Sequence, residues 1–460
     1  MDLDLIVIGS GPSGQRAAIQ AAKLGKRVAV VERRLRLGGN SIHTGTIPSK
    51  TLREAVLDEL ASRPLDMPDP IHPEQHERTA VQHLMDMTAR VVGAETTVVR
   101  EQLRRNDVGL LFGEGSFVDK HTVRVRDETT VRDYTADHVI IAVGTTPARP
   151  PDVDFDDATI IDSDGILKLK NRVPRTMTVV GAGVIGVEYA SMFGALGTKV
   201  SIIDQRTRVL DFLDGEIGET LQYLLRRQNV TFRLNEKVAA VERRDGSVTT
   251  RLASGKEIRS DSVLYATGRQ GSTEGLGLEN IGLEADKRGR IPVDPDYRTS
   301  VPTIFAVGDV CGPPGLAAAA MEQGRIASLH AFGQPVHLVP ELIPTGVYSI
   351  PEIGMVGRTE EQLTQAAVPY VAGVSRWGEL ARGVMTGDET GLLKLLVSTE
   401  DRRILGVHAI GTAATELVHI GQAVMGGGAT VDFLVAAVFN YPTFAESYKV
   451  AALDAVNRLR

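Results

Sequence analysis

An α/β protein with buried parallel sheets and a separate C-terminal α+β unit is what this sequence predicts, on three observations. Two distant segments share one pattern: DLIVIGSGPSGQRAAIQAAKLGKRVAVVE (residues 4–32) and TMTVVGAGVIGVEYASMFGALGTKVSIID (176–204) each run apolar strand, glycine turn, helix, apolar strand, acidic residue. The strand runs 5–8 and 28–31 are apolar without alternation, as strands covered on both faces are. From about Ile343 the style changes: GVYSIPEIGMVG, LLKLLVST and ILGVHAIG read as antiparallel strands, and residues 413–460 read as mostly helical.

Each element follows in order. At 460 residues the chain is too long for one hydrophobic core, and 47 glycines with 5% aromatics suit many tight turns. The two repeated segments read as Rossmann-like βαβ units. Between them residues 79–106 have helical spacing, preceded by a loop carrying Pro64, Pro68, Pro70 and Pro73. Short β-type runs follow in HTVRVR and DHVIIAVG, and the same style returns after the second unit in DSVLYATGR and TIFAVGDV. An interrupted first domain is the simplest reading, with pieces at 1–150 and 271–340 around a second domain at 151–270, and a third domain at 341–460. Thr359 with Gln362 resembles a capping box opening a helix in that third domain. Its amphipathic tail, without a glycine-rich ligand loop, is expected to pack against a second copy of the chain, giving a homodimer or larger homo-oligomer.

Composition excludes several function classes. A net charge of −7, with basic runs no longer than Arg33-Arg34 or Arg104-Arg105, argues against a nucleic-acid surface. No apolar run approaches the roughly 18 residues that cross a bilayer, and the N-terminus enters a strand at once, so the expected location is the cytoplasm with no membrane partner. Cys311 is the one cysteine, so no intramolecular disulfide and no cysteine cluster for zinc or iron–sulfur can form. The ten histidines are scattered without metal-ligand spacing, and no metal site is expected.

The chemistry begins at the glycine turns. Gly9-Ser10-Gly11-Pro12-Ser13-Gly14 fits GxGxxG: the first glycine permits the turn, the second lets backbone approach a pyrophosphate, and the third lets helix and strand pack closely. Glu32 ends the next strand, where a carboxylate accepts hydrogen bonds from a ribose. Gly181-Ala182-Gly183-Val184-Ile185-Gly186 repeats the motif, with Asp204 as its acidic residue. Two ADP-type sites imply two dinucleotides, a held flavin and an exchanging nicotinamide, because a hydride needs both a donor and an acceptor.

The order of an N-terminal GxGxxG, the loop GGNSIHTGTIPSK (38–50), a second GxGxxG followed by Glu188, then ATGR (266–269) and AVGDV (306–310) resembles the flavoprotein disulfide reductase family over essentially the whole chain. The resemblance implies an FAD domain, an NAD(P) domain inserted within it, and a C-terminal dimerisation domain. It implies that Lys50 paired with Glu188 sits beside the flavin N5 as the catalytic pair, and that Asp309 contacts the ribityl chain. It extends the FAD site to Arg33, Gly38, Gly39, Asn40, Ser41 and Thr46, and to Gly115, Gly144 and Ala317. It places Ile185 and Gly268 in the NAD(P) site.

In that family the loop normally reads GGxCxxxxCxPSK, and its two cysteines form the disulfide that the flavin reduces. Here those positions are Ser41 and Thr46. The family's C-terminal HPTxxE carries a histidine that serves as acid-base for the thiols; here Tyr441 stands in its place, with a phenol whose ordinary pKa near 10 makes it a poor shuttle at neutral pH. Tyr441 is expected to pack, with contact to the flavin from the partner chain as the other reading. A GTIPSK loop and an NYPTxAE ending, with SDGIL, GAGVIGVEYAS, IPTGVYSIPEIG and HIGQAVM, resemble the soluble pyridine nucleotide transhydrogenases, although many of those keep the first loop cysteine. That subgroup implies hydride exchange between NAD(H) and NADP(H) through FAD, one nucleotide site being used in turn by ping-pong kinetics. Asp204 suits a 2′-hydroxyl, whereas Arg206 and Arg208 could pair with a 2′-phosphate. Reduction of a quinone and a non-catalytic nucleotide sensor stand as alternatives.

Overall fold

A computed structural model of the chain describes residues 1–62, 73–168, 173–244, 246–336 and 342–459. The first sheet has seven strands. Its parallel part runs Gly109–Phe112, Val28–Glu32, Leu3–Ile8 and Val131–Ile141, with Ile304–Ala306 also paired to Val131–Ile141. The long strand Val131–Ile141 belongs to two layers: its first half pairs antiparallel with Thr122–Arg126, and its second half is parallel to Leu3–Ile8. All five residues of Val28–Glu32 are buried, as the unbroken apolar run predicts.

A second, fully parallel sheet orders Val230–Leu234, Lys199–Asp204, Thr176–Val180, Ser262–Tyr265 and Ile160–Asp162, joined by a three-stranded antiparallel sheet over 238–260. The chain leaves the first sheet and returns to it side by side, because Thr145–Pro147 pairs antiparallel with Arg269–Gly271. The last sheet is antiparallel throughout, in the order Thr345–Val347, Ile353–Gly357, Ile404–Ile410, Leu392–Ser398, Tyr370–Arg376. The helix Ser447–Arg458 lies so close against it that a Cβ on Gly373 would stand 2.1 Å from the Ala451 carbonyl oxygen.

The capping box forms, with the Thr359 hydroxyl accepting from the Gln362 N–H and the Gln362 side chain accepting from Thr359, but the helix it opens spans only Glu360–Gln365. Pro73 departs from its expected place in a loop and begins the helix Pro73–Arg105, a position where a missing N–H costs nothing. The prolines Pro64, Pro68 and Pro70 lie outside the described residues. On the C-terminal unit Phe433 and Val438 are exposed, and Tyr441 is 66% exposed, so within one chain its ring does not pack. No helix among the described residues is long and apolar enough to cross a membrane.

Lys394, in the fully buried strand Leu392–Ser398, joins the second sheet's unit to the last one. Its ammonium meets Asp214 Oδ1 at 2.9 Å, Glu216 Oε2 at 3.3 Å and the Glu360 carboxylate. Burial opposes charge on both groups; at Asp214 the nearby His408 and then the Lys394 ammonium outweigh it, holding the carboxyl below its ordinary value, and at Lys394 the Glu360 and Asp214 carboxylates outweigh it, holding the ammonium above its own. The depressed carboxyl contributes stability above its unfolded pKa, near pH 4, and loses it as pH falls through the folded value. The raised ammonium contributes below its unfolded pKa, near pH 10, and loses it as pH climbs through the folded value. The contact is therefore complete between those limits. Lys394→Met strands a fully buried Asp214 and is expected to lower unfolding stability at pH 7 by about 3–5 kcal/mol in guanidinium melts. A loss under about 1 kcal/mol would mean that the carboxylates find other partners.

Candidate active site

The two glycine turns are built alike. A Cβ on Gly14 would stand 2.0 Å from the Gly9 carbonyl oxygen, and one on Gly186 would stand 2.0 Å from that of Gly181. Those contacts are to backbone, so only glycine lets each helix lie this close to its strand. The middle glycines differ: a Cβ on Gly11 would meet nothing within 4 Å, and one on Gly183 would meet only Arg206 Nη2 at 3.9 Å. The helices that follow, Pro12–Lys23 and Val184–Ala195, have no side-chain cap and no acidic residue in their first turns. Their leading N–H groups and the open space above the middle glycine are a cradle for a phosphate, so the residues present fit a dinucleotide at each turn.

The acidic residues are already oriented. Glu32 Oε2 accepts from the Ser10 hydroxyl at 2.6 Å and the Ser10 N–H at 3.1 Å, and its Oε1 accepts from the Arg34 N–H. Asp204 Oδ2 accepts from the Ala182 N–H at 2.6 Å, and its carboxylate holds Arg206 through Nε and Nη2 at 3.0 and 2.8 Å. Burial works against that charge, and the Arg206 guanidinium with the Ala182 N–H outweighs it, leaving the Asp204 carboxyl below its ordinary value. Arg208 turns instead to Glu361 Oε1 at 3.3 Å.

Both half-sites open into one cleft of about 1150 Å³, above the roughly 300–1,000 Å³ of a single small-molecule site and large enough for two ligands to meet. From the first unit Gly9, Ser10, Gly11, Pro12, Glu32 and Arg33 line it. The loop adds Gly39, Asn40, Ser41, Thr46 and Lys50, and Gly115, Gly144, Asp309 and Ala317 complete that side. The second unit brings Gly183, Ile185, Glu188 and Gly268. Gly14, Gly38, Gly181 and Gly186 stay outside its wall, as do Asp204, Arg206 and Arg208. Gly39, at φ 61°, brings the loop against the first turn, where a Cβ would meet Gly11 Cα at 2.8 Å.

Lys50, on the helix Thr46–Ser62, meets Glu188, on the helix Val184–Ala195, at 2.7 Å between Nζ and Oε2. Glu188 is 3% exposed and Lys50 24%, so the cation faces the cleft and its partner is buried behind it. The other Glu188 oxygen accepts from the Tyr348 N–H at 2.9 Å, and the ammonium lies over the Tyr348 ring, 5.0 Å from its centre. All three parts of the chain thus converge on one ion pair. Sequence reasoning gave no role to Tyr348, since a backbone donor leaves no mark on residue type. It also missed Thr145, whose carbonyl accepts from Asn40 and Arg269 and whose hydroxyl reaches Asp309 at 3.4 Å.

Ser41 and Thr46 line the cleft as hydroxyls. Cys311, in the turn Gly308–Cys311, is outside the lining, and burial, then the Asp309 carboxylate, pushes its thiol up to about 12. It is a protonated, unreactive thiol at neutral pH. Among the described residues no group of three or more His, Cys, Asp and Glu could hold a metal ion.

Two dinucleotide cradles sharing a cleft at an interrupted α/β unit define the class of two-nucleotide redox flavoproteins. The chain belongs to the pyridine nucleotide-disulphide oxidoreductases: the profile of that family matches residues 3–324 and that of its dimerisation domain residues 343–452. The chain is 55% identical to a soluble pyridine nucleotide transhydrogenase of Mycobacterium bovis BCG, over all of this chain and 98% of that one, and 45% identical to one of Hahella chejuensis, over 99% and 98%. Among solved structures it is similar to the HOCl-induced flavoprotein disulfide reductase RclA of Escherichia coli, with a TM-score of 0.87, 26% identity and 98% and 99% of the two chains covered. LpdA of Mycobacterium tuberculosis shares the fold, with a TM-score of 0.89 at 24% identity over 99% and 100%.

Proposed function

We infer that this protein is an FAD-dependent transhydrogenase, passing hydride between NAD(H) and NADP(H) by ping-pong use of one nucleotide site. The observation that carries this reading is the pairing of an intact Lys50–Glu188 contact with hydroxyls at Ser41 and Thr46 in the same cleft. FAD would be held by the first turn, Glu32, the 38–50 loop and Asp309, and when bound it supplies reversible two-electron chemistry with nicotinamides. Pyridine nucleotides would use the second turn and Asp204. Lys50 presents fixed positive charge to the cleft, and Glu188, anchored by the Tyr348 N–H, keeps that charge in place. With neither loop thiol present, nothing in this cleft can take electrons except a molecule that enters it. Homodimeric assembly, supported by the exposed Phe433, Val438 and Tyr441, and a cytoplasmic location belong to the same proposal.

Recognition of both nucleotides falls to Asp204 and the two arginines beyond it. Arg206→Ala with Arg208→Ala is expected to raise KM for NADP(H) about ten- to a hundredfold, with NAD(H) changed by about threefold or less, because only the phosphate needs their charge. Equal losses for the two nucleotides would remove their discriminating role. The function itself is tested by comparing kcat/KM for NADPH with thio-NAD+ against NADPH with quinones. Preference for thio-NAD+ supports transhydrogenation, and preference for quinone replaces it with a dye-reductase activity.

A further inference from the structure

Arg208 is engaged by a residue of the C-terminal unit, Glu361 on the helix Glu360–Gln365, at 3.3 Å. A Cβ on Gly215 would stand 2.6 Å from Glu361 Oε1 and 3.2 Å from Arg208 Nη2, so the two charged groups and the start of the helix Gly215–Arg227 share one spot. Glu361 is held there. Its neighbour Glu360 donates its N–H to Asp214 Oδ2 at 3.3 Å and grips the buried Lys394, and the capping box fixes the first turn. The next residue, Gln362, lines the cleft.

We propose that Glu361 is a specificity-determining residue: its carboxylate competes with the 2′-phosphate of NADP(H) for Arg208 and so sets the balance between the two nucleotides. This rests on the two-nucleotide reading above. A 2′-phosphate brings about −1.5 to −2 of charge at neutral pH and must displace Glu361 or lie beside it, and either weakens binding. The 2′-hydroxyl of NAD(H) is uncharged, finds its acceptor in Asp204 and makes no use of Arg208. Glu361 therefore acts on one nucleotide. Both partners of the pair are 47% exposed, which limits the effect to severalfold. A carboxylate guarding the phosphate-binding arginine keeps NADP(H) from occupying a site that NAD(H) must also use.

The test is calorimetric titration of the FAD-loaded protein with 2′,5′-ADP and with 5′-AMP, which differ only in the 2′-phosphate. Glu361→Gln is expected to tighten 2′,5′-ADP about three- to tenfold and to leave 5′-AMP within about twofold. Glu361→Lys should tighten 2′,5′-ADP further, raised salt should shrink the gain, and Arg208→Ala should abolish the effect of Glu361→Gln. Equal 2′,5′-ADP affinity in wild type and Glu361→Gln overturns the inference while leaving transhydrogenation standing. Binding of 5′-AMP with no 2′,5′-ADP binding in either protein overturns the two-nucleotide reading, and this inference with it.

Discussion

Lys50→Met is expected to slow hydride exchange about a hundredfold or more, since removing one preorganised charge from a reaction site costs roughly that much. The ammonium is held on two sides, by Glu188 at 2.7 Å and by the Tyr348 ring, so the wild-type site spends nothing on orienting it during the reaction. Methionine fills a similar volume and leaves Glu188 with only the Tyr348 N–H as partner. Some stability is lost too, because Glu188 is 3% exposed and becomes a buried carboxylate without a cation. The measurement is kcat for NADPH with thio-NAD+ at full flavin content. A variant keeping more than about a third of wild-type kcat would show that the charge has no part in the chemistry.

The second large effect separates the two cradles. Gly14→Ala puts a Cβ 2.0 Å from a backbone carbonyl, where no side chain can swing aside, so the helix Pro12–Lys23 must part from its strand. That variant is expected to purify without flavin. Gly186→Ala makes the same clash in the second turn and is expected to keep flavin while weakening both pyridine nucleotides by at least about a hundredfold. Flavin absorbance and calorimetry read the two outcomes. Flavin lost from Gly186→Ala with nucleotide binding intact would reverse the assignment of the cradles.

The parallel units were legible because their cause is local: strands buried on both faces must be apolar throughout, and a turn where an added Cβ would stand 2.0 Å from a carbonyl oxygen admits only glycine. The C-terminal strands were legible for a similar reason, and so was the capping box, although it fixed where its helix begins and not how soon it stops. Lys394 was not, because one lysine in LLKLLVST looks like a lysine pointing to solvent until Asp214 and Glu360 arrive from elsewhere in the chain. The same holds for Arg206 and Arg208. Their sequence position suggested free guanidinium groups awaiting a phosphate, whereas Asp204 and Glu361 already hold them. Partners contributed by distant segments, and donors that are backbone N–H groups such as that of Tyr348, leave no local pattern to read.

With hydroxyls at Ser41 and Thr46, reducing equivalents are expected to leave this protein only on a diffusing nucleotide. This is tested most directly by anaerobic rapid mixing after exhaustive treatment with iodoacetamide. NADPH is added first and NAD+ second, with flavin absorbance followed throughout. Loss of the absorbance is expected on the first addition and its full recovery on the second, at rates that alkylation leaves unchanged. Recovery that disappears on alkylation, or that requires a disulfide substrate in place of NAD+, would contradict that expectation.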